Sequence, residues 1–329
     1  KDKPGSPFSP GLTAATRSLQ RFWLRAHTPS LLLGILFGSM VMLGFQLSVT
    51  YFKGWSVKQR FPHTSHSKGT ELLKPPSLQH THDTWKRCKD LVVVAGHSVF
   101  TGPNFEDADE AQSSWVLLSY QKDQLSAFLN HIQAGVQIAE KNREALLVFS
   151  GGETRLSGGP RSEAQSYWWT ADAHNWFGSS GNVRDRTITE EYARDSFENL
   201  LFSVCRFKEV TGSYPKSITV VSFEFKRERF ETLHRVALKW PMENFQYVGV
   251  DMEDRVIPEK VYDAEKKNSL EHFKKDPYGC KGTLKMKKEG RNPFRKNIPY
   301  PQGCPELAGL FSYCDRSIFA GKLPWRTKS

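Results

Sequence analysis

Three short stretches of this sequence bring together residue types that can do chemistry. Gly96-His97-Ser98 offers a glycine, an imidazole and a hydroxyl. Ser150-Gly151-Gly152 opens a loop that runs through Arg155 and Arg161 to Glu163. Ser222-Phe223-Glu224-Phe225-Lys226 leads on to Arg229. In the middle loop, adjacent glycines permit positive φ and close backbone approach. A helix starting after them adds unpaired N–H groups and a partial positive charge, and Arg155 and Arg161 add formal charge. Together they predict a seat for a phosphate, carboxylate or sulfonate. The pattern is neither GxGxxG nor a Walker A loop, and an ordinary glycine-rich connection with a solvated tip is the plain alternative. Glu163 fits a different task. In a first helical turn it answers the helix dipole; in a cleft it would repel phosphate and suit a ribose hydroxyl, an amine, a metal or general-base work.

Glu190, Glu198 and Asn199 raise the same question around the next helix. Glu198 and Asn199 are adjacent, so they project about 100° apart and cannot both occupy the centre of the Leu200/Leu201/Val204 stripe. Solvated helix residues are the plain reading for either. Nucleophilic catalysis has little support, because Ser98, Ser150 and Ser222 each end a strand without a GxSxG elbow. His97 is well placed as a base, although a lone histidine is more often a satisfied loop residue.

The elements that position these residues alternate. Leu91–Ala95, Ala145–Phe149, Ser217–Val221 and Phe245–Val250 are short, apolar and β-branched, as strands buried on both faces are. Between them, Gln124–Lys141 carries Leu125, Phe128, Leu129, Ile132, Val136 and Ala139 at helical spacing. Residues 161–177, Asp195–Glu209 and Arg227–Lys239 are the other predicted helices. Strands separated by helices imply right-handed crossovers and a mostly parallel sheet covered on both faces, the doubly wound α/β class. In such sheets ligands bind beyond the carboxyl ends of the strands, where all three stretches lie.

Outside that region the chain changes character. From Ala26 to Phe52 there is no Lys, Arg, Asp or Glu, and residues 30–52 are just long enough to cross about 30 Å of hydrocarbon. We read them as a transmembrane helix with residues 1–29 as its flank. A cleaved signal peptide and a mitochondrial presequence are the rivals. Residues 53–89 are a polar, proline-containing linker, residues 90–254 the α/β domain, and residues 255–329 a basic extension expected to wrap it. The net charge of +11 divides into +10 over residues 1–89, −8 over 90–254 and +9 over 255–329. An acidic body repels a phosphate backbone, which argues against nucleic acid, whereas basic flanks beside a membrane segment attract anionic lipids. Of the five cysteines, Cys205 falls within an apolar stripe and reads as a buried thiol. Cys280, Cys304 and Cys314 share the tail, where one disulfide can form.

The succession Phe149-Ser150-Gly151-Gly152, Ser162-Glu163-Ala164, Glu198-Asn199 and Val221 to Arg229 resembles the family called domain of unknown function 218, whose bacterial members include the YdcF-, SanA- and ElyC-like proteins. The tail, with Asp276-Pro-Tyr-Gly-Cys280, Arg291-Asn-Pro-Phe294 and Gly303-Cys-Pro-Glu-Leu307, looks like the eukaryotic branch. The resemblance implies a Rossmann-like fold, often tethered by one N-terminal membrane helix. It also implies a cleft built from Ser150, Gly151, Gly152, Glu163, Glu198, Asn199 and Arg229. Bacterial members commonly show a Thr-Ser pair and then a His where this chain has Ser222-Phe223 and Lys226. Nucleotide-type ligands, S-adenosylmethionine among them, and roles in envelope or lipid-linked carbohydrate metabolism have been suspected for the family. The expectation is a membrane-tethered enzyme in the Golgi or endoplasmic reticulum, with the mitochondrial inner membrane as alternative. It binds a phosphate-bearing or nucleotide-type ligand through Gly96, Ser150, Gly151, Gly152, Arg161, Asn199, Ser222, Lys226 and Arg229, with Glu163 and Glu198 as acid–base groups. Its partners are membrane lipids and that ligand. The competing reading is a non-catalytic ligand-binding or assembly module at the membrane.

Overall fold

Alternating side chains along each central strand decide the architecture. In the computed structural model, which describes residues 83–326 apart from 123, 180, 181 and 253–256, five strands run in parallel: β1 (Asp90–Ala95), β2 (Ala145–Ser150), β3 (Thr187–Glu190), β4 (Ser217–Ser222) and β5 (Phe245–Gly249). Their order is β3-β2-β1-β4-β5, with Val94 level with both Phe149 and Val221. Leu91, Val93, Leu146, Val148, Ile218 and Val220 point to one face. Val92, Val94, Leu147, Phe149 and Val221 point to the other. Burying each such side chain contributes about 1.5–3 kcal/mol, and neither face could be left uncovered.

Helices supply the cover. α1 (Leu125–Lys141) and α2 (Glu163–Ala173) lie over the second face, where Phe128, Ile132, Val136, Ala164, Tyr167 and Ala171 are buried. α3 (Ser196–Thr211) lies over the first with Leu200, Val204 and Phe207. Ser162 caps α2, its hydroxyl accepting from the Gln165 amide at 2.9 Å. Asp195 caps α3, accepting from the Glu198 amide at 2.8 Å. Gly212, at φ 80°, ends α3 in the left-handed turn that glycine adopts most cheaply.

Several expectations need correction. β3 is a strand that the apolar runs do not predict: Thr187-Ile-Thr-Glu190 is four residues long and largely polar, and its pairing with β2 carries it. α2 stops at Ala173 rather than at residue 177, because Asn175, Trp176 and Phe177 turn left-handed with φ of 48°, 51° and 54°. The helix expected over Arg227–Lys239 is shorter and wider. It begins as a π turn over Arg229–His234 and continues as α4 (Arg235–Ala237), and the wide turn buries Arg229, Phe230 and His234 together. π turns of this kind recur at functional sites.

The chain beyond β5 belongs to the same body. α5 (Glu259–Glu265), a π turn (Lys266–Leu270), α6 (Glu271–Lys275), α7 (Gly282–Gly290) and α8 (Ala308–Phe311) follow one another. Tyr278, Leu284, Leu307, Leu310 and Leu323 join the core on the α3 side. Two disulfides hold this segment: Cys280–Cys314 within the tail and Cys205–Cys304 between α3 and the tail. Cys205 is therefore not the buried thiol that its apolar stripe suggests, because the tail brings Cys304 onto the buried face of α3. The free thiol is Cys88. Among the described residues no helix is long and apolar enough to cross a membrane; the expected span, residues 30–52, lies outside them.

Candidate functional site

The glycine loop comes first, because the sequence placed the anion there. Its amides are already bonded. Gly151 N donates to Glu190 O at 2.9 Å, Gly152 N to Ala193 O at 2.8 Å and Gly96 N to Ser150 O at 2.7 Å. The first turn of α2 is engaged as well: Glu163 N donates to Gly152 O and Ala164 N to Gly151 O, each at 3.1 Å. The phosphate cradle expected of Gly151 and Gly152 is thus occupied by the protein's own carbonyls. The glycines make room instead. A Cβ on Gly96 would meet Glu163 Cβ at 2.7 Å, one on Gly151 would meet Glu163 Oε2 at 2.7 Å, and one on Gly152 would meet Ala193 O at 2.8 Å. Two of these contacts would be with the Glu163 side chain, so the loop is the seat of that carboxylate. Thr154 Oγ1 donates to Glu163 Oε1, and among the described residues Oε2 accepts no hydrogen bond.

Beneath the loop runs a buried polar chain. Asn199 Nδ2 donates to Ser150 O at 2.9 Å and to Ser150 Oγ at 3.0 Å, and Ser150 Oγ donates to Glu190 Oε2 at 2.7 Å. Tyr192 N donates to Glu190 Oε1 at 2.8 Å. Burial pushes the Glu190 carboxyl up to about 7, so near neutrality it is poised between its two forms. Ser150 and Asn199 tie the end of β2 to the start of α3.

The strand order reverses between β1 and β4, the switch point at which open α/β sheets bind ligands. His97, just past β1, and Ser222, which ends β4, meet there with His97 Nε2 3.3 Å from Ser222 Oγ. The other ring nitrogen, Nδ1, lies 3.3 Å from Lys226 Nζ. With Lys226 as the donor, Nδ1 is the acceptor and the proton of the neutral ring sits on Nε2, facing Ser222. The imidazole stacks on Phe223 with ring centres 5.0 Å apart. Burial and the Lys226 charge hold His97 well below the usual histidine range, so it is neutral. Lys226 is pushed down to about 7, first by burial and then by Arg229.

Gly96, His97, Glu163, Asn199, Ser222, Lys226 and Arg229 all line one cavity of about 690 Å³, within the range of small-ligand sites. Arg155 of the glycine loop lines it too, whereas Ser150, Gly151, Gly152, Arg161 and Glu198 do not. Arg161 is exposed and donates to Phe100 O at 3.2 Å, which corrects its role as an anion holder. Glu198 is held on both oxygens by Arg194, at 2.9 Å from Nε and 2.6 Å from Nη2, with Lys288 of α7 3.3 Å away. Its lone pairs are engaged, so Glu198 pins the tail to α3, whereas Glu163 keeps Oε2 without a hydrogen bond among the described residues.

What sequence reasoning missed is the tail's share of the walls. Lys260, Glu265, Phe273, Leu284, Lys287 and Arg291 all face the cavity. Lining it are seven basic side chains (Arg155, Arg194, Lys226, Arg229, Lys260, Lys287, Arg291) against three carboxylates (Glu163, Asp195, Glu265). Arg194 is paired with Glu198, and Arg229 lies 3.2 Å from Glu265. The other five have no carboxylate within 4.0 Å among the described residues. Lys287 donates to Asn268 O at 2.6 Å and Arg291 to Arg194 O at 2.9 Å, so both are anchored through carbonyls rather than carboxylates. The signal is a net +9 in the last 75 residues, which by charge alone suggests a lipid-facing surface.

Comparison with known proteins adds a relative. No family model matches the chain, and no solved structure matches it. The chain is similar to the uncharacterized protein YOR238W of Saccharomyces cerevisiae, 30% identical over 263 residues that cover 65% of this chain and 86% of the yeast protein. At that identity and coverage, the chain belongs to the same family as this yeast protein.

Proposed function

We propose that this protein is a membrane-tethered enzyme of the domain of unknown function 218 type, whose cavity binds a phosphate-bearing ligand, either a nucleotide or a phosphorylated lipid- or carbohydrate-linked substrate. One observation carries the reading: Arg155, Lys260, Lys287 and Arg291 face a single cavity with no carboxylate within 4.0 Å among the described residues. Like charges crowded at low dielectric repel one another, and a polyanion relieves that repulsion. Arg155, Lys287 and Arg291 present the donors that phosphate oxygens accept from. The same charge argues against S-adenosylmethionine, whose sulfonium is itself a cation, so a phosphate-bearing nucleotide is the better fit. Glu163, with Oε2 unbonded, is the acid–base group, and His97 with Lys226 is a second one.

Membrane tethering rests on residues 30–52 as read from the sequence. Four of the five cysteines are paired, which supports an oxidising compartment and favours the Golgi or endoplasmic reticulum side of a membrane. The strand–glycine, Ser-Glu-Ala and Glu-Asn motifs all sit at the carboxyl end of the sheet, which supports the family resemblance. Calorimetric titration of the full chain in detergent with inorganic phosphate and with adenosine diphosphate tests the reading. Saturable binding that weakens about tenfold or more in Lys287→Ala or Arg291→Ala is expected, since a charge-assisted hydrogen bond contributes about 1.5–3 kcal/mol. No binding of either compound by the wild type would overturn it.

A further inference from the structure

Lys226 is placed unlike a structural lysine. Its ammonium would need a carboxylate, and among the described residues none lies within 4.0 Å. Its hydrogen-bond partner is the neutral imidazole of His97, 3.3 Å away. The rings of Phe223 and Phe225 flank it at 5.1 and 5.7 Å, and Arg229 and Arg291 add positive field. A buried amine among other cations is the arrangement that keeps a lysine neutral and nucleophilic. We propose that Lys226 is a carbonyl-directed nucleophile that forms an imine with a phosphorylated aldehyde or ketone, whose phosphate Lys287 and Arg291 hold.

The geometry accounts for each proton. The neutral amine donates one N–H to His97 Nδ1 and keeps its lone pair free. That pair adds to the carbonyl carbon while the carbonyl π electrons move to oxygen. His97 takes the proton from the attacking nitrogen and passes it to the oxygen, giving a carbinolamine. The nitrogen pair then forms the C=N bond as the hydroxyl leaves with a second proton as water. Amine and carbonyl give imine and water, with no other reactant. The groups facing Lys226 are His97 beyond β1, Glu163 on α2, Arg229 after β4, and Glu265 and Arg291 from the tail. The two carboxylates work against neutrality; burial and the two arginines outweigh them.

This inference rests on the phosphate-binding reading above, and the test separates the two. The full chain is incubated near pH 7 with pyridoxal 5′-phosphate, which carries both an aldehyde and a phosphate, then reduced with borohydride and mapped by peptide mass spectrometry. Expected is one reduced adduct on the Lys226 peptide. It forms at least about tenfold faster than on exposed Lys285, because a lysine titrating near 7 is ~10³-fold richer in free amine there than an ordinary one. Labelling slows with inorganic phosphate and with pyridoxal in place of its phosphate ester. It is lost in Lys226→Met, which has no amine, and a thermal melt matching that of the wild type shows that the fold is kept. If phosphate binds but Lys226 is labelled no faster than Lys285, the imine proposal falls alone. If phosphate does not bind, the reading beneath it falls as well.

Discussion

Arg229 Nε lies 3.2 Å from Glu265 Oε1, with the two side chains 8% and 11% exposed. This ion pair joins the turn after β4 to α5, so the tail meets the sheet domain at the wall of the cavity. Breaking such a pair leaves a charge buried and unmatched, which costs about 3–5 kcal/mol. Glu265→Ala should therefore lower the urea midpoint. It should also tighten phosphate binding, because it removes a carboxylate from a cationic cavity. Opposite movements of stability and affinity are the signature, read by denaturation and calorimetry; a variant that loses both would assign Glu265 to the ligand.

Lys226 makes stability depend on alkali. Its folded value is pushed down to about 7 from an ordinary 10.5. Between those values the unfolded chain holds a proton that the folded chain has released, so stability rises with pH from about 7 to about 10.5. Lys226→Met should remove that rise. Urea melts of the wild type and the variant at half-unit intervals between pH 7 and 10.5 check it, and an equal rise in both would assign the dependence to another group.

Glu190 acts with the opposite sign. Burial raises its carboxyl from 4.5 to about 7, so the folded chain holds the proton across that window and the unfolded chain does not. Its contribution is complete below about pH 4.5 and is lost as pH climbs toward 7. In Glu190→Gln, stability over this range should flatten, as followed by thermal melts at half-unit intervals. An unchanged pH profile would mean that Glu190 stays ionised in the fold.

The Cys205–Cys304 bridge closes a loop with a sequence separation of 99, for which chain entropy predicts about 4.7 kcal/mol. Replacing both cysteines by alanine should lower unfolding free energy by an amount of that order. Because the bridge ties α3 to the segment that carries Lys287 and Arg291, phosphate affinity should fall as well. Cys88→Ala, at the free buried thiol, should leave affinity unchanged.

Much of this molecule was legible before its structure. Four apolar runs marked β1, β2, β4 and β5, and their alternation with helices sufficed for a parallel sheet. Gly96, Glu163, Asn199, Ser222, Lys226 and Arg229 do converge on one cavity. β3 was hidden because a four-residue edge strand of Thr, Ile and Glu needs no continuous apolar signal. The glycine loop misled for a physical reason: glycines that expose amides to an anion and glycines that admit a neighbouring side chain look alike in sequence, and only the partners of Gly151 N and Gly152 N separate them. Cys205 misled likewise, since a helix stripe buries a half-cystine as well as a thiol. The tail's cations were visible as charge, but nothing local says that Lys287 and Arg291 fold back onto the cavity.

Lys287 and Arg291 of the tail, rather than the amides of Gly151 and Gly152, make most of the anion site. Calorimetric titration of inorganic phosphate into Lys287→Ala/Arg291→Ala and, separately, Arg161→Ala tests it most directly. The account predicts that the double variant loses roughly 100-fold or more in affinity while Arg161→Ala binds as the wild type does. Wild-type affinity in the double variant, with loss in Arg161→Ala, would contradict it.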